Sequence, residues 1–458
     1  MSTEKGPIVR DIGSRVELFV DDWLMDETKR VSLKLQPPVK REVVLQRSEA
    51  WEDTAIGYYT VFQDGDRVRL YYRGNNAGGE GSEDALTCYA ESPDGVHFTK
   101  PNLNLVEWNG NSENNIIWRG VEAHNVAPFR DTSPDARPEE QYKALGFSEK
   151  LAEGGRGLRA LCSPDGLNWK RMQDGPVLTQ GAFDSLNIAF WDALKGQYRC
   201  YSRFFEKTET QSARAIQSCS SDDFLHWTDP MPNVYRPGLP REHFYTNATV
   251  PCPGAPHIYL SFPKRYNHRR KKLPKHPVNG ISDAAFMSSR DGVHWDRMFR
   301  EAWVRPGLDQ RNWGDRSSMP AWGILELNDE EFTMYISEHT RFEDTRLRRL
   351  TLRRHGFASA HAGPDGGEFT TRPLRFTGDQ LHLNYSTSAF GFIQVEVQDI
   401  MGGPLPGCSL DEMPPLYGDE LDRTVTWWPR PYLTDYAGKP VRFRFVMEDA
   451  DVFSMQVR

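Results

Sequence analysis

Five stretches of the chain place polar, mostly charged residues just ahead of an apolar run: "WEDTAIGYYT", "EAHNVAPF", "AFDSLNIAF", "REHFYTNATV" and "RNWGDRSSMPAW". They single out Glu52 and Asp53; His124 and Asn125; Asp184; Glu242, His243, Tyr245 and Asn247; and Trp313, Asp315 and Arg316. The segment "SEHT" adds Glu338 and His339. If these runs are strands sharing one axis, their leading residues converge. Several carboxyl groups crowded together cannot all ionise, so one keeps a proton and serves as an acid while another remains a base. We expect Asp53, Asp184 and Glu242 to supply this acid–base chemistry. The remaining residues would bind a ligand, with Tyr245, Trp313 and Phe183 offering ring faces. Each carboxylate also has a plainer use. Asp184 suits a turn cap, Glu242 an ion pair with Arg241, and Asp53 a solvated loop, while His339 suits a core position with Glu338 as partner.

Positioning such residues requires a repeated element, and the sequence contains one. "SPDGVHF", "SPDGLNW", "SDDFLHW" and "SRDGVHW" begin at Ser92, Ser163, Ser221 and Ser289, roughly 60–70 residues apart, a period that signals a repeat architecture. Ser and Asp side chains close a tight turn on nearby amides, Gly accepts positive φ, and the aromatic residue anchors the next strand. Short runs rich in Tyr, Phe, Val and Ile precede each copy, as in "AIGYYTVFQDGDRVRLYYRG". The turn therefore joins the third and fourth strands of a four-stranded sheet. Four such units and a degenerate fifth at 319–353 make a five-bladed β-propeller, since radial repetition protects sheet edges. "VELFVDD" at 16–22 is expected to close the ring, and the Gly-rich "GNNAGGEGSED" at 74–84 to form a loop over the pocket.

Beyond Gly356 the motif disappears. "GEFTTRPLRF", "LHLNYSTSAFGFIQVEVQD" and "VRFRFVME" alternate apolar and polar residues, the pattern of a half-buried strand. The expected organisation is all-β: a five-bladed propeller over 1–357, followed by a C-terminal β-sandwich over 358–458 with a structural role.

Composition narrows the partners. Of 458 residues 12% are aromatic, including 13 Trp, which suits a stacking pocket; the net charge of −8 argues against nucleic acid. The basic run "KRYNHRRKKLPKH" at 264–276 is read as a solvated loop. No stretch reaches membrane-spanning length and the first residues lack a signal peptide's apolar core, so a cytoplasmic protein without a membrane partner is expected. Cys88, Cys162, Cys200, Cys219, Cys252 and Cys408 have no metal-type spacing and are read as buried thiols. No cofactor is required, although axial histidines are able to hold an ion, and a homo-oligomer stays open.

A propeller with Ser-x-Asp-Gly-x-x-aromatic turns and a C-terminal β domain resembles the glycoside hydrolases of families 32 and 43. Segments such as "ELFVDDWLM", "HNVAPFRDTSPD" and "FDSLNIAFWD" look like a bacterial family-32-like group. The resemblance implies an exo-acting glycoside hydrolase for small oligosaccharides or glycosides, furanosides among them, with axial carboxylates. "FRDTSP" keeps Arg130 and Asp131 where family 32 has Arg-Asp-Pro, but Thr132 replaces the proline. A carbohydrate-binding propeller would need no carboxyl pair. A phosphorylase would need axial cations, for which Arg311, Arg316 and the histidines are the candidates; a lyase is a further alternative on the same fold.

Overall fold

A computed structural model of the protein describes residues 8–75, 78, 79, 81–152, 154–207, 212–429 and 432–458. Part of the Gly-rich loop (76, 77 and 80) lies outside the described residues. The chain divides into two compact units, Pro38–Thr351 and Met1–Pro37 together with Leu352–Arg458.

The larger unit is a five-bladed propeller. Its first three blades are antiparallel sheets of four strands in chain order: Gly57–Asp64, Arg67–Asn75, Leu86–Ser92 and Ile116–Arg119; Phe129–Arg130, Tyr142–Lys150, Arg156–Ser163 and Lys170–Arg171; Ile188–Asp192, Gln197–Lys207, Ser212–Ser221 and Met231–Pro232. The fourth runs from Val250–Cys252 through Ala255–Ser261 and Met287–Ser289 to His294–Asp296, with Val234–Tyr235 added outside. The fifth begins at a segment bridged from Pro320 to Ile336 and continues through Glu331–Glu338 and Arg346–Arg353.

The fifth blade takes its outermost strand, Val39–Gln46, from early in the chain. This corrects the expectation for "VELFVDD". Val44 and Leu45 enter the core shared with Leu347 and Tyr335, whereas Phe19 is buried with Phe369 and Phe445 in the other unit. A parallel bridge between Thr60 and Trp322 joins the innermost strands of the first and fifth blades.

The four turns occupy equivalent places between third and fourth strands. In each, the Ser Oγ accepts from the amide three residues on, at 2.8–2.9 Å, and the Asp Oδ1 accepts two further amides, at 2.7–2.8 Å. The glycine also leaves room for a neighbour. A Cβ on Gly95, Gly166 or Gly292 would meet the hydroxyl of Tyr335, Tyr71 or Tyr201 at 2.5–2.9 Å, each from the preceding blade's second strand. In the third copy Phe224 takes the glycine's place at φ 70°. Its ring is fully buried, 5.7 Å from Phe129 and 5.2 Å from Tyr198. The preceding blade carries Leu145 where the others carry tyrosine, so the bulk has moved from one blade to the other.

The smaller unit contains an eight-stranded sheet in which Arg442–Val457 pairs along its length with Leu381–Gln398. The strands Met25–Lys29 and Val31–Leu35 join it through Gly367–Thr371 and Ala358–Ala362. The boundary expected at 357 thus needs correction. Residues 8–37 belong to this unit, because Leu24, Met25 and Val31 are buried in its core.

Two outcomes follow. Phe224→Gly relieves about 1–2 kcal/mol of left-handed strain but loses a buried ring whose removal costs about 3–5 kcal/mol; denaturant titration should show net destabilisation of about 2–3 kcal/mol. A chain ending at 357 leaves Phe19, Leu24, Met25 and Val31 without their core, so it should sediment as aggregate. A monodisperse, cooperatively melting product would contradict the assignment of residues 8–37 to the smaller unit.

Candidate functional site

The leading residues of the innermost strands meet around Asp184. Its side chain, 26% exposed, precedes Ile188–Asp192 and is held by three groups from two neighbouring blades. His124 Nε2 lies 3.0 Å and Asn125 Nδ2 3.4 Å from Oδ1, and the Tyr245 hydroxyl donates to Oδ2 at 3.2 Å. Burial pushes the Asp184 carboxyl toward neutrality. The His124 hydrogen bond and the charges of His124, Arg316 and Arg203 outweigh it and hold the group far below its ordinary 3.8.

Asp315 is the second axial carboxylate, 5% exposed. Arg341 Nε donates to it at 2.8 Å and Arg316 Nε lies 3.7 Å away. Burial raises its pKa, but the Lys264 charge and the Arg341 hydrogen bond bring the balance below the ordinary value. Arg316 acts on both carboxylates. Behind them Arg73 donates to Asn125 Oδ1 at 3.0 Å and lies 4.7 Å from the Tyr58 ring centroid. Arg316 lies 5.5 Å from the centroid of the same ring, and the buried Tyr58 hydroxyl has no hydrogen-bond partner among the described residues.

The backbone here is strained. Tyr58, Asn125, Ala248, Arg316 and Ser318 all have φ between 44° and 63°. Asn tolerates this region, but tyrosine and arginine do so at a cost that surrounding structure must hold in place.

The other expected residues fall into two groups. Some lie near the axial site. Asp53 is half-buried, accepts from the Ala55 amide at 2.6 Å and acts on the charge of Arg73. Glu242, His243 and Trp313 line an adjoining cleft of about 780 Å³ with Tyr266, His268 and Arg265. There Glu242 is paired with Arg265, at 3.1 Å, and with Arg297 rather than with Arg241, which reaches Glu206. The His243 ring lies tilted against that of His268, with centroids 4.6 Å apart, and sits 3.3 Å from Arg214.

The second group is corrected by the structure. Glu52 is buried inside the first blade, bonded to Tyr72 and Lys100 at 2.6 and 2.7 Å. Asn247 spends its amide on the Leu186 and Tyr201 carbonyls, tying the third blade to the fourth. Glu338 is enclosed by Lys40, Arg346 and Arg348 at 2.8–3.2 Å. His339 is bridged by Asp309 and Asp344 at 2.7 Å, not by Glu338, and Arg311 pairs with Asp344. Arg130 and Asp131 border a cavity of about 560 Å³ at the opposite ends of the innermost strands.

Sequence reading missed Arg73, Arg203, Arg214 and Lys264. The basic run is buried at both ends: Lys264 is 1% and His276 5% exposed, so only its middle is a solvated loop. A signal was present, since Arg73 and Arg203 each stand two residues after a tyrosine, Tyr71 and Tyr201, in the second strand of a blade. Among the described residues no group of three or more His, Cys, Asp or Glu side chains is arranged to hold a metal ion.

No family model and no curated protein matches the chain. Solved structures that it is similar to include a thermostable family-43 glycoside hydrolase (12% identity, 65% of this chain and 89% of that one, TM-score 0.45). Another is an N-acetylgalactosamine deacetylase from F. plautii in complex with blood group B trisaccharide (13%, 71% and 96%, 0.45). A third is described under the GH130 family of mannoside phosphorylases, which contains hydrolases of β-1,2 mannosidic linkages in Candida mannan (14%, 74% and 96%, 0.41). At this identity and overlap the likeness assigns no chemistry.

The low Asp184 pKa has a definite sign. Its folded value lies below the unfolded one, so the ionised form is complete above the ordinary range and is lost only as pH falls through the folded value. Carbon-detected NMR titration should show no Asp184 midpoint above about pH 3. In Arg316→Met the midpoint should move upward; an unmoved midpoint would show that Arg316 does not act on this carboxylate.

Proposed function

We propose that the propeller unit is a glycoside-cleaving enzyme that works in the axial pocket, with Asp184 as the ionised carboxylate at the reacting carbon. The observation that carries this reading is the state of Asp184: open to the pocket, fixed by His124, Asn125 and Tyr245, and held ionised by Arg316 and Arg203. Cleaving a glycosidic bond develops positive charge at the anomeric carbon. A pre-oriented carboxylate stabilises that charge, attacks the carbon, or activates a water without reorganising during the reaction.

The leaving oxygen needs a proton. The candidate is Asp53, whose charge reaches Arg73; Asp315 is held ionised by the Lys264 charge and the Arg341 hydrogen bond and has no proton to give. Glu242, expected to share in this acid–base chemistry, is committed to two arginines in the neighbouring cleft. That cleft, with Tyr266 and Trp313 on its walls, has the size of a small-ligand pocket and suits further sugar units of a short oligosaccharide. Exo-action on a small glycoside in the cytoplasm, without a cofactor, completes the reading.

Asp184→Asn should lower kcat by at least about a hundredfold with the thermal melt preserved. The acid is identified with a second substrate series. An aryl glycoside whose phenol leaves without protonation should restore turnover to Asp53→Asn and leave Asp184→Asn inactive. Near-normal turnover by Asp184→Asn would refute the reading.

A further inference from the structure

Three cations converge on one tyrosine ring beside Asp184, and a fourth, Arg316, acts on the same carboxylate. Lys264, at the start of the strand Lys264–Asn267, places Nζ 3.9 Å from the Tyr245 ring centroid and 5.1 Å from that of Tyr266. The residue is 1% exposed, and among the described residues Nζ has no hydrogen bond and no carboxylate within ion-pair distance. Arg203 and Arg214, from the third blade, lie 4.6 and 5.4 Å from the Tyr245 ring. Arg203 spends one donor, Nε, on the Ala182 carbonyl, and Arg214 keeps a buried Nε without a partner. Arg316, from the fifth blade, lies 3.7 Å from Asp315 and 5.5 Å from the Tyr58 ring centroid.

Ring faces attract cations, but they do not replace hydrogen bonds to an ammonium or guanidinium taken out of water. Asp184 and Asp315 are the carboxylates within reach, and Asp315 is already bonded to Arg341. The mutual repulsion is felt: burial first, then the charges of Arg316, Arg214 and Arg203, push Lys264 well below the usual lysine range, with Asp315 only a partial offset. Neutral sugar hydroxyls would accept hydrogen bonds from these donors without neutralising their charge. An oxyanion does both.

We propose that Lys264, Arg203, Arg214 and Arg316 form an oxyanion-binding site next to Asp184, so that the ligand of the axial pocket includes a carboxylate, sulfate or phosphate group. This deepens the glycoside-cleaving reading and rests on it for the site's location. The oxyanion has two sources. It is carried on the sugar, as in a uronic acid, or it is free inorganic phosphate. In the second case a phosphate oxygen bonds to the anomeric carbon as the glycosidic C–O bond breaks, the leaving oxygen takes a proton, and a sugar 1-phosphate results.

The test is calorimetric, with the full chain and with Asp184→Asn, which separates binding from turnover. D-glucuronate, D-galacturonate, D-glucose and inorganic phosphate are titrated at low ionic strength. At least one anion should bind tenfold or more tightly than glucose, and Lys264→Met should weaken it by about tenfold or more, the range for a hydrogen bond to a charged group. Lys264→Met removes an uncompensated buried charge, so its melting temperature should be unchanged or higher, which separates lost binding from lost folding. Cleavage of an aryl glucuronide or galacturonide in phosphate-free buffer identifies the sugar as the source; cleavage of a neutral aryl glycoside only with phosphate identifies phosphate. If no anion outbinds glucose, or Lys264→Met binds anions like the parent, the oxyanion site is refuted. Anion binding without cleavage of any glycoside would refute the catalytic reading and leave this one standing.

Discussion

The arrangement of the propeller axis depends on one charge, the carboxylate of Asp184. It is the common counter-ion for Arg316 and Arg203, His124 holds it by a hydrogen bond, and Arg73 also feels it. Without it, cations from three blades would face one another at short range in a site of low dielectric, where like charges repel strongly. Because its partners come from different strands, the carboxylate also fixes how the leading ends of the blades sit around the axis. The strained backbone at Tyr58 and Arg316 belongs to the same construction. These residues are turned out of ordinary strand geometry so that a ring and a guanidinium stack where a regular strand would place neither.

Ring closure holds that strain. The fifth blade takes Val39–Gln46 from near the start of the chain, so its sheet is complete only when residues about three hundred positions apart have paired, as Leu45 does with Leu347. Such non-local pairing is slow to form but ties the two chain ends of the propeller together. The Thr60–Trp322 bridge makes the same connection at the axis, and the Trp322 indole donates to the Thr249 carbonyl of the fourth blade at 2.8 Å.

What was legible in the sequence was local chemistry. The Ser-x-Asp-Gly turn reports its own geometry because its hydrogen bonds all fall within five residues, and four copies give both the blade and its period. The first polar residues of the innermost strands were legible for the same reason, which is how Asp184, His124, Asn125, Tyr245, Asp315 and Arg316 were found. Strand pairing across the chain was not. Val39–Gln46 and the strands within residues 8–37 have ordinary strand patterns, and alternation does not say which sheet a strand joins. Buried charge was equally hidden: Glu52, Glu338 and Lys264 look alike in sequence, and only their partners show which belong to blade interiors and which to the axis.

Those partners supply an internal control for the chemistry of the axis. Elsewhere in the propeller several buried charges are neutralised by partners of opposite sign. Glu52 meets Lys100, Glu122 meets Arg159 and Arg171, and Glu338 meets three cations. The comparison is sharpest between two buried lysines. Lys143, 4% exposed, lies 2.8 Å from both Asp131 and the Tyr198 hydroxyl, and those partners overcome burial and raise its pKa. Lys264 is buried more deeply and has ring faces instead, and its pKa falls. Each lysine also lies over a tyrosine ring, Tyr198 at 4.8 Å for Lys143 and Tyr245 at 3.9 Å for Lys264, so the aromatic contact is common to both and the carboxylate is the difference. A lysine that serves only the fold is finished with an acidic partner of its own. At the axis no side chain among the described residues is that partner, which is the condition expected of a site completed by what it binds.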